Sequence, residues 1–303
     1  MFTYENVKSK PKLFRALTGL DPAEFEELLA AFRVAWAEYV EQRYSENKER
    51  QRKPGGGRKP ILNTMEGKLL FILFYFKTYP LQEVIAFLFG MGQSQACEWI
   101  HTLSIVLKMA LARMQHLPER DPERVEAILA EDPENEFAID GIERRRQRPK
   151  DNIEQREYYS GKKKAHTVKN NVIVTLKGRK VQYLSGTYKG KKHDKKICDE
   201  EQPTFPEGST LYQDTGFQGY APEGVIIQQP KKKPRDRELS VEEKEQNALI
   251  SSVRIVVEHV IAGIKRCRIV KDVFRNTKPE FDDSVMVVAC GLHNFRTACR
   301  APG

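Results

Sequence analysis

The second half of the chain alternates strand-like and helix-like segments in an order that few folds accommodate. Five runs rich in β-branched and aromatic residues have the character of strands. A Lys-Gly turn at 177–178 joins the second run to the third, a helix over 193–201 separates the third from the fourth, and a long helix follows the fifth. This order predicts a mixed sheet with helices between its strands. The runs are residues 137–141, 165–176, 181–187, 209–213 and 225–229.

The long helix, residues 247–267, is predicted to be amphipathic. At about 100° per residue, its polar residues lie within an arc of roughly 60°. A solvated face would mix charges of both signs, whereas here a single carboxylate, Glu258, stands among cations. The polar set is Ser251, Arg254, Glu258 and Lys265, and the apolar set on the far side is Leu249, Val253, Val256, Val260 and Ile264.

Two aspartates stand at the predicted ends of apolar strands, Asp140 near the end of the first run and Asp214 directly after the fourth. Bringing both carboxylates together with Glu258 would be repulsive without a cation. Mg²⁺ and Mn²⁺ take carboxylate oxygens as ligands, and two such ions can activate a water and stabilise a leaving oxygen. The sequence therefore predicts that Asp140, Asp214 and Glu258 hold two divalent ions and hydrolyse phosphodiesters. The chain has 42 acidic residues, so many other sets of three carboxylates are possible. The choice of these three therefore depends on the residues around them.

Those surroundings are strongly basic. The 51 lysines and arginines give a formal net charge of +9, which favours a polyanionic partner. Three cationic runs are expected at one edge of the sheet, where they would follow phosphates, with Tyr158 and Tyr159 available to stack on bases. Any one run alone is equally compatible with a solvated loop. The runs are Arg144, Arg145, Arg146, Arg148 and Lys150; Lys162, Lys163 and Lys164; and Lys231, Lys232, Lys233, Arg235 and Arg237.

The first third of the chain is predicted to be helical. Asp21 and Glu24 form a capping box before a helix whose apolar residues recur at helical spacing from Phe25 to Tyr39. Residues 48–59 are basic and contain three consecutive glycines, which is typical of a flexible linker. Such a linker could also follow phosphates or enter a minor groove. We assign residues 1–60 to this helix and linker.

Residues 82–100 have the spacing of a helix-turn-helix. Ala86 is small where two helices would cross, Gly90 can take a positive φ at the turn, and Ser94 would cap the second helix. The alternative is a plain helical hairpin, and His101 alone would be an ordinary surface histidine. The side chains expected to meet base edges are Gln93, Gln95, Glu98, His101 and Thr102.

Together these features predict an α+β protein, with an N-terminal all-helical helix-turn-helix domain followed by an RNase H-like mixed-sheet catalytic domain. Three antiparallel strands, a helix, a strand, a helix and a strand make up the RNase H plan. In this chain the fourth predicted strand follows the first helix and the fifth precedes the last helix. The predicted DNA-binding region is residues 61–116, a connector covers 117–135, and the catalytic domain covers 136–303.

The five cysteines are odd in number and include no Cys-x-x-Cys pair. This predicts neither a disulfide framework nor a zinc knuckle and favours a reducing cytoplasm. Cys290 and His293 resemble half of a zinc site, but a buried cysteine on a terminal helix is the preferred interpretation. Residues 1–12 lack the apolar core of a signal peptide, and the longest apolar run, residues 69–76, is too short to cross a bilayer, so no membrane partner is expected.

Several segments resemble bacterial insertion-sequence transposases of the DDE superfamily, in a branch akin to the eukaryotic Harbinger transposases. The resemblance spans about residues 60–300. The signature tyrosine of the family would stand where this chain has Ser251, and a serine cannot stack on a base. The similar segments are residues 158–169, residues 212–220, and Arg254 to Glu258 with Lys265, which is similar to the tyrosine-arginine-glutamate-lysine signature. His193-Asp194 also resembles the family, and we interpret it as a structural pair at a helix start.

The resemblance implies an RNase H-like domain that uses two Mg²⁺ or Mn²⁺ ions, cleaves at terminal inverted repeats and transfers the strand into target DNA. When the roles of the family's residues are assigned to the matching positions of this chain, Asp140, Asp214 and Glu258 are the metal ligands. Arg254 and Lys265 then contact a phosphate or the element end. The implied partners are the double-stranded DNA of element ends and target and a second copy in a homodimer, in the bacterial cytoplasm at the nucleoid. Two alternatives stay open, a catalytically silent DNA-binding regulator derived from a transposase and a metal-dependent nuclease without strand transfer.

Overall fold

The computed structural model describes residues 2–45, 60–233 and 238–300. The expected basic linker, residues 48–59, lies outside the described residues, as do Arg235 and Arg237 of the third cationic run. The described residues contain twelve α-helices and seven β-strands. The helices are α1 (Tyr4–Lys8), α2 (Pro11–Thr18), α3 (Pro22–Ser45), α4 (Met65–Thr78), α5 (Gln82–Phe89), α6 (Gln93–Arg113), α7 (Val125–Leu129), α8 (Asn152–Tyr158), α9 (Asp194–Glu201), α10 (Val241–Ile264), α11 (Arg268–Lys271) and α12 (Phe281–Cys299). The strands are β1 (Glu136–Arg145), β2 (Tyr159–Ser160), β3 (Ala165–Thr175), β4 (Val181–Leu184), β5 (Tyr188–Lys189), β6 (Thr210–Gln213) and β7 (Ile226–Gln228).

The contacts within the chain divide it into two compact units. The first comprises the described residues within 1–117, 266–269 and 298–303. The second comprises those within 118–265 and 270–297. The first unit is helical and holds α1–α6, whereas the second holds the whole sheet.

The helical unit is organised by caps and by a buried lysine. The predicted capping box forms, because the Asp21 N–H donates to Glu24 Oε2 at 2.9 Å and the Glu24 N–H donates to Asp21 Oδ1 at 3.1 Å. Lys68 of α4 is buried, and its ammonium lies 5.0 Å from the centre of the Trp36 ring and 5.6 Å from that of Trp99. These cation–π contacts tie α4 to α3 and α6 and offset the cost of burying the charge.

The helix-turn-helix forms between α5 and α6. Gly90 ends α5 with a φ of 70°, in the left-handed region that the sequence predicted for this turn. Ala86 and Ile85 are buried where the helices pack. The predicted cap is wrong, since α6 begins at Gln93 and its N-cap residue is Gly92 rather than Ser94. Ser94 lies in the first turn of α6 instead and is exposed.

The second unit is a mixed sheet with β1 near its centre. β3 pairs antiparallel with β1, and β2, β4 and β5 all pair with β3. On the other side of β1, β6 runs parallel to it, and β7 runs parallel to β6. Buried side chains of β1, β3, β4 and β6 form the core together with residues of α7 and α9. The layout is the α+β arrangement that the sequence predicted.

Two strand boundaries differ from the prediction. The first strand was expected to end at Gly141, but β1 continues to Arg145 because Glu143, Arg144 and Arg145 pair with residues of β3. Their charges resemble those of a loop in the sequence, yet burial alternates over the last four residues of the strand, from Ile142 to Arg145. The predicted strand 181–187 is shorter in the structure, because β4 ends at Leu184. A separate strand, β5, begins just past the predicted end and pairs with a different part of β3.

Helix α10 begins at a second capping box, in which Ser240 accepts from the Glu243 N–H at 3.1 Å and Glu243 accepts from the Ser240 N–H at 3.0 Å. It packs against β1 and β6. The predicted apolar face is displaced around the helix, since Leu249 is 63% exposed and Val253 and Val256 are only half-buried. The side that packs carries Ile250, Val257, Val260 and Ile264.

Apolar residues occur on both sides of α10, which explains the displacement. Periodicity locates an apolar stripe but cannot choose between two of them. Within the described ranges, α10 is also the one helix whose length and hydropathy would allow it to cross a membrane. Its packing on the sheet and its charged residues Arg254 and Glu258 are those of an amphipathic helix in a folded domain.

Candidate functional site

Asp140 and Asp214 are side by side on neighbouring parallel strands. The register of β1 and β6 places Ile139 opposite Gln213, so the two aspartates occupy the next position on each chain. Asp140 lies within β1 rather than at its end, which corrects the prediction, and its Oδ1 accepts the N–H of Gly141 at 2.7 Å. Asp214 follows β6 and caps a short 3₁₀ turn by accepting the N–H of Gly216.

The Asp140 carboxyl is costly to ionise. Burial is the largest cause and raises its pKa, and the negative charges of Asp214 and Asp194 raise it further. The Gly141 N–H and the positive charge of Arg254 act in the opposite direction without cancelling the effect. A carboxyl in this state is stabilised in its charged form by any additional cation that approaches it.

Arg254 of α10 supplies the positive charge at this point of the sheet. Its Nη2 lies 3.5 Å from Asp214 Oδ2, and only 20% of its side chain is exposed. The Arg254 Nε is buried and has no hydrogen-bond partner. A guanidinium with an unpaired N–H can donate a hydrogen bond to an additional anionic ligand, such as a phosphate oxygen.

Glu258 is not gathered with the two aspartates. It is exposed on α10, and within the residues that the structure describes no three Asp, Glu, His or Cys side chains form a group that could hold a metal ion. The expected triad is therefore represented here by an aspartate pair with a neighbouring arginine. Burial and the positive charge of Lys163 lower the pKa of Lys265, and the negative charges of Asp140 and Glu143 raise it in part.

Asp194 is the residue at this site to which the sequence gave only a structural role. A Cβ built on Gly141 would lie 2.8 Å from Asp194 Cγ, so the carboxylate fills the space beside the residue that follows Asp140. Asp194 Oδ1 lies 3.2 Å from Lys169 Nζ on β3. His193 does precede α9 as its N-cap residue, but its side chain makes no capping hydrogen bond. Gly141, directly after Asp140, was the sequence feature that could have indicated that another side chain packs closely against this position.

Comparison with known proteins identifies the family. The family model of the DDE superfamily endonuclease matches residues 139–294, and that of the helix-turn-helix of DDE superfamily endonuclease matches residues 62–112. This chain belongs to the DDE superfamily endonucleases. Over 255 residues it is 28% identical to the probable transposase for insertion sequence element IS702 of Microchaete diplosiphon. The aligned region covers 84% of this chain and 88% of that relative. No solved structure matches it. The predicted family and helix-turn-helix are confirmed.

The cationic runs of this DDE endonuclease divide into buried and exposed residues. Arg144 was predicted to contact DNA, but its side chain is buried and donates to Asp282 O at 2.9 Å and to Asn170 Oδ1 at 2.9 Å. Its role is to join β1 to β3 and α12, and the prediction for it is wrong. Arg146 lies 4.0 Å from the centre of the Tyr158 ring, which removes that ring face from stacking on a base.

The remaining cations of these runs that the structure describes are exposed. Lys232 donates to Gln218 Oε1 at 2.8 Å, Lys231 is 3.5 Å from Glu243, and Lys233 pairs with Glu238. Exposed pairs of this kind contribute little, so a phosphate can replace the carboxylate partner. Tyr159 is 43% exposed, and its ring packs edge-to-face against that of His166, with 5.7 Å between the ring centres. The exposed residues are Arg145, Arg148, Lys150, Lys162, Lys163, Lys164, Lys231, Lys232 and Lys233.

Of the five predicted base-reading residues of α6, Glu98 is exposed and the other four are half-buried. Gln93, Gln95 and His101 are half-buried, and the Gln93 amide donates to Gln82 of α5. The outermost side of α6 is formed by Ser94 and Glu98 in its first turns. Phe87 on α5 is 84% exposed, a feature that no sequence pattern indicated.

Proposed function

We propose that this DDE endonuclease is the transposase of an insertion element. It binds the inverted-repeat ends of the element, cleaves a DNA strand there and joins the end to target DNA. The observation that carries the proposal is the placement of Asp140 and Asp214 side by side on parallel strands, with Arg254 beside them. The similarity to the IS702 protein, a probable transposase, supports the same reaction.

The family implies a divalent metal ion, and the two aspartates fit one by their chemistry. Carboxylate oxygens are the ligands that Mg²⁺ and Mn²⁺ prefer, and the raised pKa of Asp140 is the property of a carboxyl that a cation would stabilise. In the proposal Asp140 and Asp214, joined by Glu258, hold two such ions. When bound, the ions would activate the attacking water and stabilise the leaving oxygen.

Arg254 has to leave Asp214 before an ion can take the same oxygen. Its buried Nε donor lacks a partner, so a phosphate of bound DNA can attract the guanidinium away from the aspartate. Glu258 lies four residues later on the same helix, and a movement of α10 that releases Arg254 also moves Glu258. DNA binding thereby precedes assembly of the three carboxylates.

The basic residues and the helix-turn-helix divide the work of DNA recognition. The exposed lysines of the runs 162–164 and 231–233, together with Arg145 and Lys265, hold phosphates, which positions the duplex without reading it. Side chains in the first turns of α6 read base edges in the major groove. In the proposal the working form is a homodimer on double-stranded DNA at the bacterial nucleoid.

The proposal is tested with linear DNA that carries the inverted repeats flanking the gene. With Mg²⁺, the wild-type protein should release and join the repeat ends, as resolved on a sequencing gel. Glu258→Gln keeps the length of the side chain but removes a charged ligand, so cleavage and joining should fall by several orders of magnitude. Glu242→Gln, on an exposed residue at the start of the same helix, should leave both unchanged.

Two outcomes would replace this function with another. If the wild-type protein binds the repeat ends but cuts them in neither Mg²⁺ nor Mn²⁺, the chain is a DNA-binding regulator. If it cuts without ever producing a joined product, it is a nuclease without strand transfer.

A further inference from the structure

Helix α10 has a second face that makes no contact with the sheet. Seven residues recur along it at alternating spacings of four and three, and all seven are exposed. Such spacing places residues on one side of a helix and is the pattern by which helices pack in pairs. The seven are Val241, Glu245, Ala248, Ser252, Ile255, His259 and Ala262.

This face is apolar although it is open to solvent. Val241 is 66% exposed and Ile255 is 47% exposed, and Leu249 beside them is 63% exposed. The Ser252 hydroxyl donates to the Leu249 carbonyl at 2.7 Å, so its polar group does not oppose burial. Among the seven, the titratable side chains are Glu245 and His259, and the exposed Lys244 lies at the edge of this face, three residues after Val241 and four before Ala248. An exposed apolar strip with so few charges is typical of an interface.

We propose that this face binds the same face of a second copy, with the two α10 helices antiparallel about a two-fold axis at Ser252. The proposal goes beyond the cleavage chemistry and does not depend on it. Small residues at the centre, Ala248 and Ser252, let the two helices approach closely. A two-fold axis makes the contact self-complementary and closed, so that the assembly stops at two copies.

The charges on this face fit a second copy. Glu245 stands seven residues before Ser252 and His259 seven residues after it. The two-fold axis therefore brings Glu245 of each copy opposite His259 of the other, where the imidazole can donate to the carboxylate. Leu249 and Ile255, three residues before and after Ser252, come to the same level. The 24 residues of α10 give a contact line of about 36 Å.

The test uses the full-length protein and a charge exchange. Wild type should sediment as a dimer in analytical ultracentrifugation, with and without repeat-end DNA. His259→Glu sets two carboxylates against each other across the axis, and Glu245→Lys removes the acceptor, so each should weaken the dimer by about tenfold or more. The double variant Glu245→Lys with His259→Glu restores opposite charges and should restore the dimer.

Cross-linking tests the position of the axis. In a Cys299→Ser background, Ser252→Cys should form a disulfide-linked dimer on mild oxidation, because the axis places the two copies of residue 252 together. Ser251→Cys, one residue away and about 100° around the helix, should not.

Three results would overturn the proposal. The first is a wild-type protein that remains a monomer at its highest soluble concentration. The second is a dimer that neither single charge variant weakens. The third is an α10 face that binds neutral lipid vesicles in flotation instead of a second copy. The same sedimentation measurements on Asp214→Asn protein, which should dimerise normally, keep a failure of this interface distinct from a failure of cleavage.

Discussion

The strand pair β1–β6 and the helix α10 both carry predicted carboxylates, but different forces fix them. Asp140 and Asp214 are positioned by backbone hydrogen bonds in a defined register. Glu258 depends on the rotation of α10, which is set by side-chain packing on one of two apolar faces. The strand pair is therefore formed without a ligand, whereas the proposed site requires α10 to move so that Glu258 takes the place of Arg254 beside the aspartates. Pre-formed and adjustable halves of one site should respond differently to substitution.

The largest expected difference is in metal binding without DNA. Asp214→Asn removes one of the two carboxylates already in place, so Mn²⁺ binding by the DNA-free protein should be abolished. Glu258→Gln should retain most of that binding, because Glu258 is not gathered with the aspartates among the residues that the structure describes. Mn²⁺ titration followed by electron paramagnetic resonance measures both. If both variants lose the same amount of Mn²⁺ binding, the strand pair is no more pre-formed as a metal site than the helix.

Arg254 provides the second measurement. Arg254→Gln removes the cation that competes with a metal for Asp214, so Mn²⁺ affinity in the DNA-free protein should rise by about tenfold, equivalent to about 1.4 kcal/mol. Affinity for repeat-end DNA should fall, since the variant can no longer pair with a phosphate. Lys244→Gln, on the exposed part of the same helix, serves as the matched control. A drop in Mn²⁺ affinity would show that Arg254 supports the metal rather than replacing it.

The exposed lysines should affect DNA without affecting metal. Replacing Lys231, Lys232 and Lys233 together with alanine should weaken binding to all sequences about equally, and the salt dependence should fall by about one unit of slope for each phosphate that is no longer neutralised. Fluorescence anisotropy over a range of KCl concentrations gives the slope. If the variant changes its sequence preference while the slope of its salt dependence stays the same, this loop does not contact the phosphate backbone.

The smallest expected effect concerns stability and pH. Burial raises the pKa of Asp140 in the folded protein, so folding favours the protonated form. The stability that this neutral form contributes is complete below the pKa of an unfolded aspartate and is lost as the pH rises through the folded pKa. Asp140→Asn keeps the side chain neutral, and in EDTA it should unfold at a higher temperature than wild type near pH 7, with the difference vanishing in acid.

Calorimetry at several pH values tests this prediction. Asp199→Asn changes an exposed aspartate that pairs with Lys195, so it should shift stability little at any pH. A wild-type protein more stable than Asp140→Asn at neutral pH would mean that Arg254 outweighs the cost of burial.

Sequence patterns predicted the parts of the molecule that local chemistry decides. The capping box at Asp21 and Glu24 formed because two side chains close together in sequence suffice to make it. Gly90 took its positive φ because the turn demands a residue without a Cβ. The order of the strands followed from short apolar runs separated by turns. The neighbouring positions of Asp140 and Asp214 then followed from that order.

Tertiary context decided the rest. Arg144 looks like a loop cation in the sequence, but Asn170 and the Asp282 carbonyl accept its hydrogen bonds inside the fold. The rotation of α10 could not be read from a helix with apolar residues on two sides. Likewise, the partners of Asp194, namely Lys169 and the backbone at Gly141, belong to strands distant in sequence.

The ion pair between Arg254 and Asp214 separates folding from metal loading. In many small metalloproteins the ligands repel one another without the ion, so a chelator unfolds the chain. Here a positive charge of the protein itself lies 3.5 Å from one of the two aspartates. A chelator should therefore leave the domain folded and inactive, and returning the ion should restore activity without a refolding step. If the proposed reaction is correct, the metal-free protein stays folded without cutting the surrounding DNA.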